Sequence, residues 1–190
     1  MSGEDIISKR GTALENQFFA EVDEKLLQAL KAELTKADAA KELAKLTGLN
    51  DLSVLQGLIE AGLAPTTFPA LRLFPLIAVA WSDGRLDAAE RDLVLAAADK
   101  QGIAAGSASW SILSGWLQAE PAPSLFDAWE GFAPALVAHL STAEATSLKE
   151  AIVAEVRNVA EASGGVLGWA SISKGEHLAL NRIEKALTRN

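Results

Sequence analysis

The stretch Trp81-Ser82-Asp83-Gly84-Arg85-Leu86-Asp87-Ala88-Ala89-Glu90 constrains the fold more than any other part of the chain. It joins two apolar, alanine-rich runs through a short acidic turn. Gly84 lets the backbone reverse, and Asp87 with Glu90 three residues on has the spacing of a capping box. An echo stands near the C-terminus: Ser163-Gly164-Gly165, then Ile172-Ser173-Lys174-Gly175-Glu176, again between apolar runs. Two such elbows imply helices folded back on helices. Alanine is abundant and β-branched residues are sparse, which favours helix over strand. No segment alternates long enough to read as a strand, and the expected class is all-α.

The remaining helices follow from spacing and punctuation. Leu14, Phe18, Val22, Leu26, Leu30 and Leu34 recur every four residues and predict a long amphipathic helix over 12–36. Asp38 suits the cap of a short second helix ending before Gly48. Asn50 or Asp51 suits the cap of a third, ending before Gly62. A fourth runs from Thr67 to Trp81, with Pro75 expected to kink or split it. A fifth covers Asp87 to Gln101. Ser109 is expected to open the next, and Ser124, with Asp127 three residues on, the one after Pro121-Ala122-Pro123. Ser141-Thr142-Ala143-Glu144 forms a full capping box before a helix reaching Ala162. Ser173 and Glu176 cap the last. Pro65 marks the expected boundary between an N-terminal helical segment, 1–64, and a helical domain, 65–190.

Composition excludes several functions. There is no cysteine among the 190 residues, hence no disulfide framework and no thiolate site. The formal net charge is −8 and no basic patch stands out, so nucleic acid is not expected as a partner. No apolar run is long enough to span a membrane, and a cytoplasmic protein is expected. His139 and His177 belong to no zinc-hydrolase or di-iron motif. Gly-x-Ser-x-Gly is missing, and Gly164-Gly165-x-x-Gly168 lacks the strand and the lysine of a phosphate loop. It reads as an apolar elbow with Val166, Leu167 and Trp169 turned inward. Trp110 and Trp116 lie too far apart in phase to share one helix face squarely.

The acidic turn admits two readings. Aligned on Gly84 as the turn glycine of a calcium loop, Asp83, Asp87 and Glu90 fall at ligand positions, but Val79 and Trp81 stand where the first two carboxylates belong. The alternative needs no ion: Asp87 and Glu90 simply cap the following helix.

The pattern apolar-Ala-x-Ala-Trp-x-Asp-Gly-x-Leu-Asp-x-x-Glu resembles the TerB-like tellurite-resistance domain. So does the closing Ala162-Ser163-Gly164-Gly165-x-Leu167-Gly168 with Ile172-Ser173-x-x-Glu176. The resemblance covers 68–188. It implies a bundle of helical hairpins with an approximate internal repeat. It also implies an acidic metal surface, carried here onto Asp83, Asp87 and Glu90, for a divalent cation such as calcium. Its members are linked to tellurite and chemical stress responses, often within membrane-associated assemblies. The function expected is therefore non-enzymatic binding of a protein partner, or of a second copy of the chain. An enzyme or ligand carrier with an interhelical pocket is the alternative. A further one comes from Arg10-Gly11-x-Ala13-Leu14-Glu15-x-x-Phe18 through Glu24-Lys25, which is similar to the zeta inhibitor subunit of some bacterial ATP synthases.

Overall fold

The structure is a computed structural model, and it describes residues 32–162 and 172–188. Most of the expected N-terminal helix, the zeta-like stretch and the glycine-rich elbow after Ala162 lie outside those residues. The described residues are helical throughout, with turns between, and contain no strand. The all-α expectation holds.

The chain divides into two compact units, Met1–Asp38 and Ala39–Asn190. Of the first, residues 32–38 are described; they are helical, and Lys36 Nζ lies 3.3 Å from Glu33 Oε1. The division falls at Asp38, not at Pro65. Leu43, Leu49, Leu55 and Leu58 have no more than 1% exposure and belong to the core of the second unit.

Helix α1 covers residues 32–47 without a break, so Asp38 sits inside a helix and starts none. Nothing between Asp38 and Thr47 interrupts helix, and Ala39 and Ala40 favour it. Gly48, at φ +73°, ends it. Helix α2 is Leu52–Glu60, and the Asp51 carboxylate accepts from the amides of Ser53 and Val54, as the sequence predicts. Pro75 splits the next helix as expected: a 3-10 turn, Phe68–Leu73, runs into α3, Phe74–Ala80. The proline stands in the first turn of α3, where its missing N–H costs nothing.

Helix α4 is Ala88–Lys100, α5 Ala108–Gln118, α6 Pro123–His139, α7 Thr142–Ala162 and α8 Lys174–Ala186. Two starts differ from expectation. Ser107, not Ser109, caps α5 by accepting from the Trp110 amide at 3.0 Å. The Ser109 hydroxyl instead donates to the Thr66 carbonyl at 3.0 Å and is buried. Helix α6 has no side-chain cap: Pro123 occupies its first turn and Ala122 precedes it. The difference is measurable. Ser107→Ala will lower stability by about 1 kcal/mol, while Ser124→Ala on the exposed first turn of α6 will change it by less than about 0.5 kcal/mol, both read from urea midpoints.

Helix α3 is the hub. Phe74, Pro75, Leu76, Ile77, Val79 and Ala80 are all buried, so it is apolar all round and needs neighbours on every side. The 3-10 turn, α4, α7 and α8 supply them. Phe74 meets Trp116, Phe126 and Trp129 with ring centroids 5.7–6.4 Å apart. Trp116 is buried and Trp110 half-buried. Helix α6 packs on α2 and α8; α7 packs on α3, α4 and α8. Arg182 of α8 makes a two-pronged bond to Glu130 of α6, at 3.0 and 2.7 Å, with its guanidinium 3.8 Å over the Phe126 ring.

Candidate functional site

The acidic turn is built from the residues that marked it in sequence. The Trp81 indole N–H donates to the Trp116 carbonyl at 2.7 Å, which anchors the end of α3. Gly84, at φ +85°, donates to the Trp81 carbonyl and reverses the chain. Asp83 turns to its own loop: it accepts from the Arg85 amide at 3.1 Å and pairs with the Arg85 guanidinium at 3.3 Å. Asp87 accepts from the Glu90 amide, and Glu90 reaches back to the Asp87 amide, both at 2.9 Å. The capping box is complete.

The same device starts α8. The Ser173 hydroxyl accepts from the Glu176 amide at 3.2 Å, and the Glu176 carboxylate accepts from the Ser173 amide. These two starts meet. A Cβ placed on Gly175 would stand 2.4 Å from the Ser82 carbonyl oxygen and 3.1 Å from its carbon. Only a residue without a side chain allows α8 to begin against the acidic turn. Glu90 and Glu176, the third residues of the two boxes, are each only 3% exposed. The Ser82 hydroxyl oxygen, in the turn that Gly175 meets, is buried and has no hydrogen-bond partner among the described residues.

Burial governs the electrostatics. Loss of solvent pushes the Glu90 carboxyl up from 4.5 to about 7. Its bond from the Asp87 amide pulls the other way, and the nearby charges of Asp87, Asp83 and Glu176 push it up further. At neutral pH Glu90 is therefore partly protonated, whereas an ordinary surface glutamate is ionised.

Asp83, Asp87 and Glu90 are brought near one another, but each carboxylate is turned to a protein partner. Among the described residues no three or more His, Asp or Glu side chains stand together as a set that could hold a metal ion. Their bonded oxygens are directed at backbone amides and at Arg85. His139 places Nδ1 3.1 Å from the Ala135 carbonyl of its own helix.

A second feature had no motif to announce it. A cavity of about 660 Å³ lies within the second unit, floored by Leu71, Trp129, Phe132 and Ala133. It is apolar, open to solvent, and of the size of a small-ligand or peptide site. Such a space depends on how distant helices are set apart, which spacing along the chain does not reveal.

These features define an all-helical module with paired acidic helix starts and an apolar trough. No protein-family model matches the chain, and neither curated proteins nor solved structures show a significant match. Among the described residues no helix is long and apolar enough to cross a membrane.

Proposed function

We propose that the chain is a non-enzymatic, TerB-like helical module that binds a protein partner in a stress or tellurite-resistance type of response. The meeting of its two helix starts supports this reading above all else. The places that carry the resemblance, Asp83–Glu90 and Ser173–Glu176, form matched capping boxes joined at Gly175 and Ser82. The acidic balance of the chain, net −8, and the open apolar trough give such a module a surface with which to bind.

Affinity capture with the full chain, followed by reconstitution from purified components, tests the proposal. Saturable binding of one protein at micromolar or tighter affinity supports it. Turnover of a small molecule by the purified chain would overturn it. The trough also favours a carrier reading, and a thermal-shift screen of small amphiphiles separates the two.

Calcium and magnesium titrations address the cation. Because Asp83, Asp87 and Glu90 are engaged with protein donors, the melting temperature is expected to stay constant to within about 1 °C at millimolar ion. A saturable rise of several degrees would place a cation on the turn.

A further inference from the structure

We propose that the trough between α6 and α7 is the docking site for a short amphipathic helix of another protein, one whose apolar stripe is bracketed by lysine or arginine. This deepens the partner-binding reading and rests on it.

The first observation is a gap. Helices α6 and α7 are consecutive, yet they share no extended packing: α6 leans on α2 and α8, and α7 on α3, α4 and α8. Both nonetheless line one cavity. On α6 the lining residues include Trp129, Phe132, Ala133 and Leu136; on α7 they are Glu144, Leu148, Ala151, Ile152 and Glu155. The spacings are those of one face of a helix in each case. Two helix faces turned toward a common space leave a trough over which a third helix can lay its apolar side chains by ridge-and-groove packing. Leu136, Leu148 and Ile152 are half-buried, and Leu46 at the rim is 62% exposed.

Charge selects the occupant. On α7 the apolar residues Leu148, Ala151 and Ile152 lie between Glu144 and Glu155. Those acids are eleven positions apart, which at about 1.5 Å per residue separates them by roughly 16 Å, about three turns. Glu144 accepts from the amide and hydroxyl of Ser141, which hold its carboxyl below the usual range and keep it ionised. Glu155 makes no ion pair among the described residues. Arg72 is the one basic side chain among the described lining residues, so the rim stays negative. A helix three turns long, with leucine or isoleucine at four-residue spacing and a basic residue at each end, complements both stripe and charges. An acidic or uncharged helix complements only the stripe.

The test uses the full chain and two synthetic helical peptides of about sixteen residues. One carries the apolar stripe bracketed by lysines eleven apart; the other carries glutamates in their place. Binding is followed at low salt by peptide anisotropy and tryptophan fluorescence, since Trp129 lines the trough. The lysine peptide is expected to bind at least about tenfold more tightly than the glutamate peptide. The double variant Glu144→Gln/Glu155→Gln should shrink that ratio below about threefold, and Ile152→Lys should abolish binding. Glutamine at 144 still accepts from Ser141 and glutamine at 155 removes only a charge, so the double variant keeps the fold and the test sound if Ile152→Lys fails to fold by circular dichroism. Equal affinity for both peptides, or binding indifferent to the glutamine variants, would overturn the proposal. So would a dimer in ultracentrifugation that Ile152→Lys breaks, which would put a second copy in the trough, or displacement of the peptide by a fatty acid at lower concentration. A captured natural partner whose affinity survives both α7 variants would refute the trough and leave the partner-binding reading standing.

Discussion

Glu90→Gln will stabilise the protein by about 3 kcal/mol at pH 8 and leave it unchanged at pH 4. The carboxyl is raised from 4.5 to about 7 in the folded chain, chiefly by burial. Below pH 4.5 it is protonated whether the chain is folded or not, and the fold bears no charge there. As pH rises through 7 the unfolded chain ionises first. The folded state is then left with a buried charge, and stability is lost over that window. A rise of about 2.5 pKa units corresponds to roughly 3 kcal/mol. Glutamine keeps an oxygen to accept from the Asp87 amide, so the cap survives while the charge goes. For a chain of this length the shift in melting temperature at pH 8 is about 6–12 °C. Urea unfolding of both proteins from pH 4 to pH 8 reads the effect directly: the curves should coincide at the acid end and part between pH 5 and 7.

Gly175→Ala will act in the opposite direction and at every pH. Elsewhere on these helices the same change helps. At Gly131, in the middle of α6, an added methyl meets nothing within 4 Å, and Ala is expected to stabilise by roughly 0.5–1 kcal/mol through helix propensity. At Gly175 the methyl meets the Ser82 carbonyl at 2.4 Å. That oxygen belongs to the backbone of the turn and cannot rotate aside. Either α8 retreats or the turn opens, and overpacking of this kind costs about 1–3 kcal/mol and sometimes more. After the propensity gain the expected loss is about 1 kcal/mol. Equal stability of Gly175→Ala and Gly131→Ala in urea would mean that α8 does not begin against the turn.

The capping boxes were legible because they are local. Asp87 with Glu90, Ser141 with Glu144, and Ser173 with Glu176 each need only a three-residue spacing. The split at Pro75 was legible for the same reason: it follows from one ring and one missing N–H. Choices among rival serines were not. Ser107 and Ser109 are equally able to cap α5, and the decision lies with the distant Thr66 carbonyl that takes the Ser109 hydroxyl. Ser124 lost its role to Pro123, whose fixed φ already suits a first turn. The compact units divide at Asp38 because Pro65 marks only a turn, whereas Leu55 and Leu58 before it are buried in the same core as the helices after it. The burial of Glu90 and Glu176 depends on two helix starts meeting from far apart in the chain. In sequence each looks like any solvent-facing cap. The trough is a separation between helices, and no spacing along the chain reveals it.

Carbon-detected NMR titration of the Glu90 side-chain carboxyl, in the native chain and in Glu176→Gln, tests the juxtaposition of the two helix starts most directly. A midpoint near 7 that moves lower when the Glu176 charge is removed is the result expected of two buried acids sharing one corner of the fold. A midpoint near 4.5, indifferent to Glu176→Gln, would mean the starts of α4 and α8 stand apart in solvent, and the TerB-like reading would lose its main support.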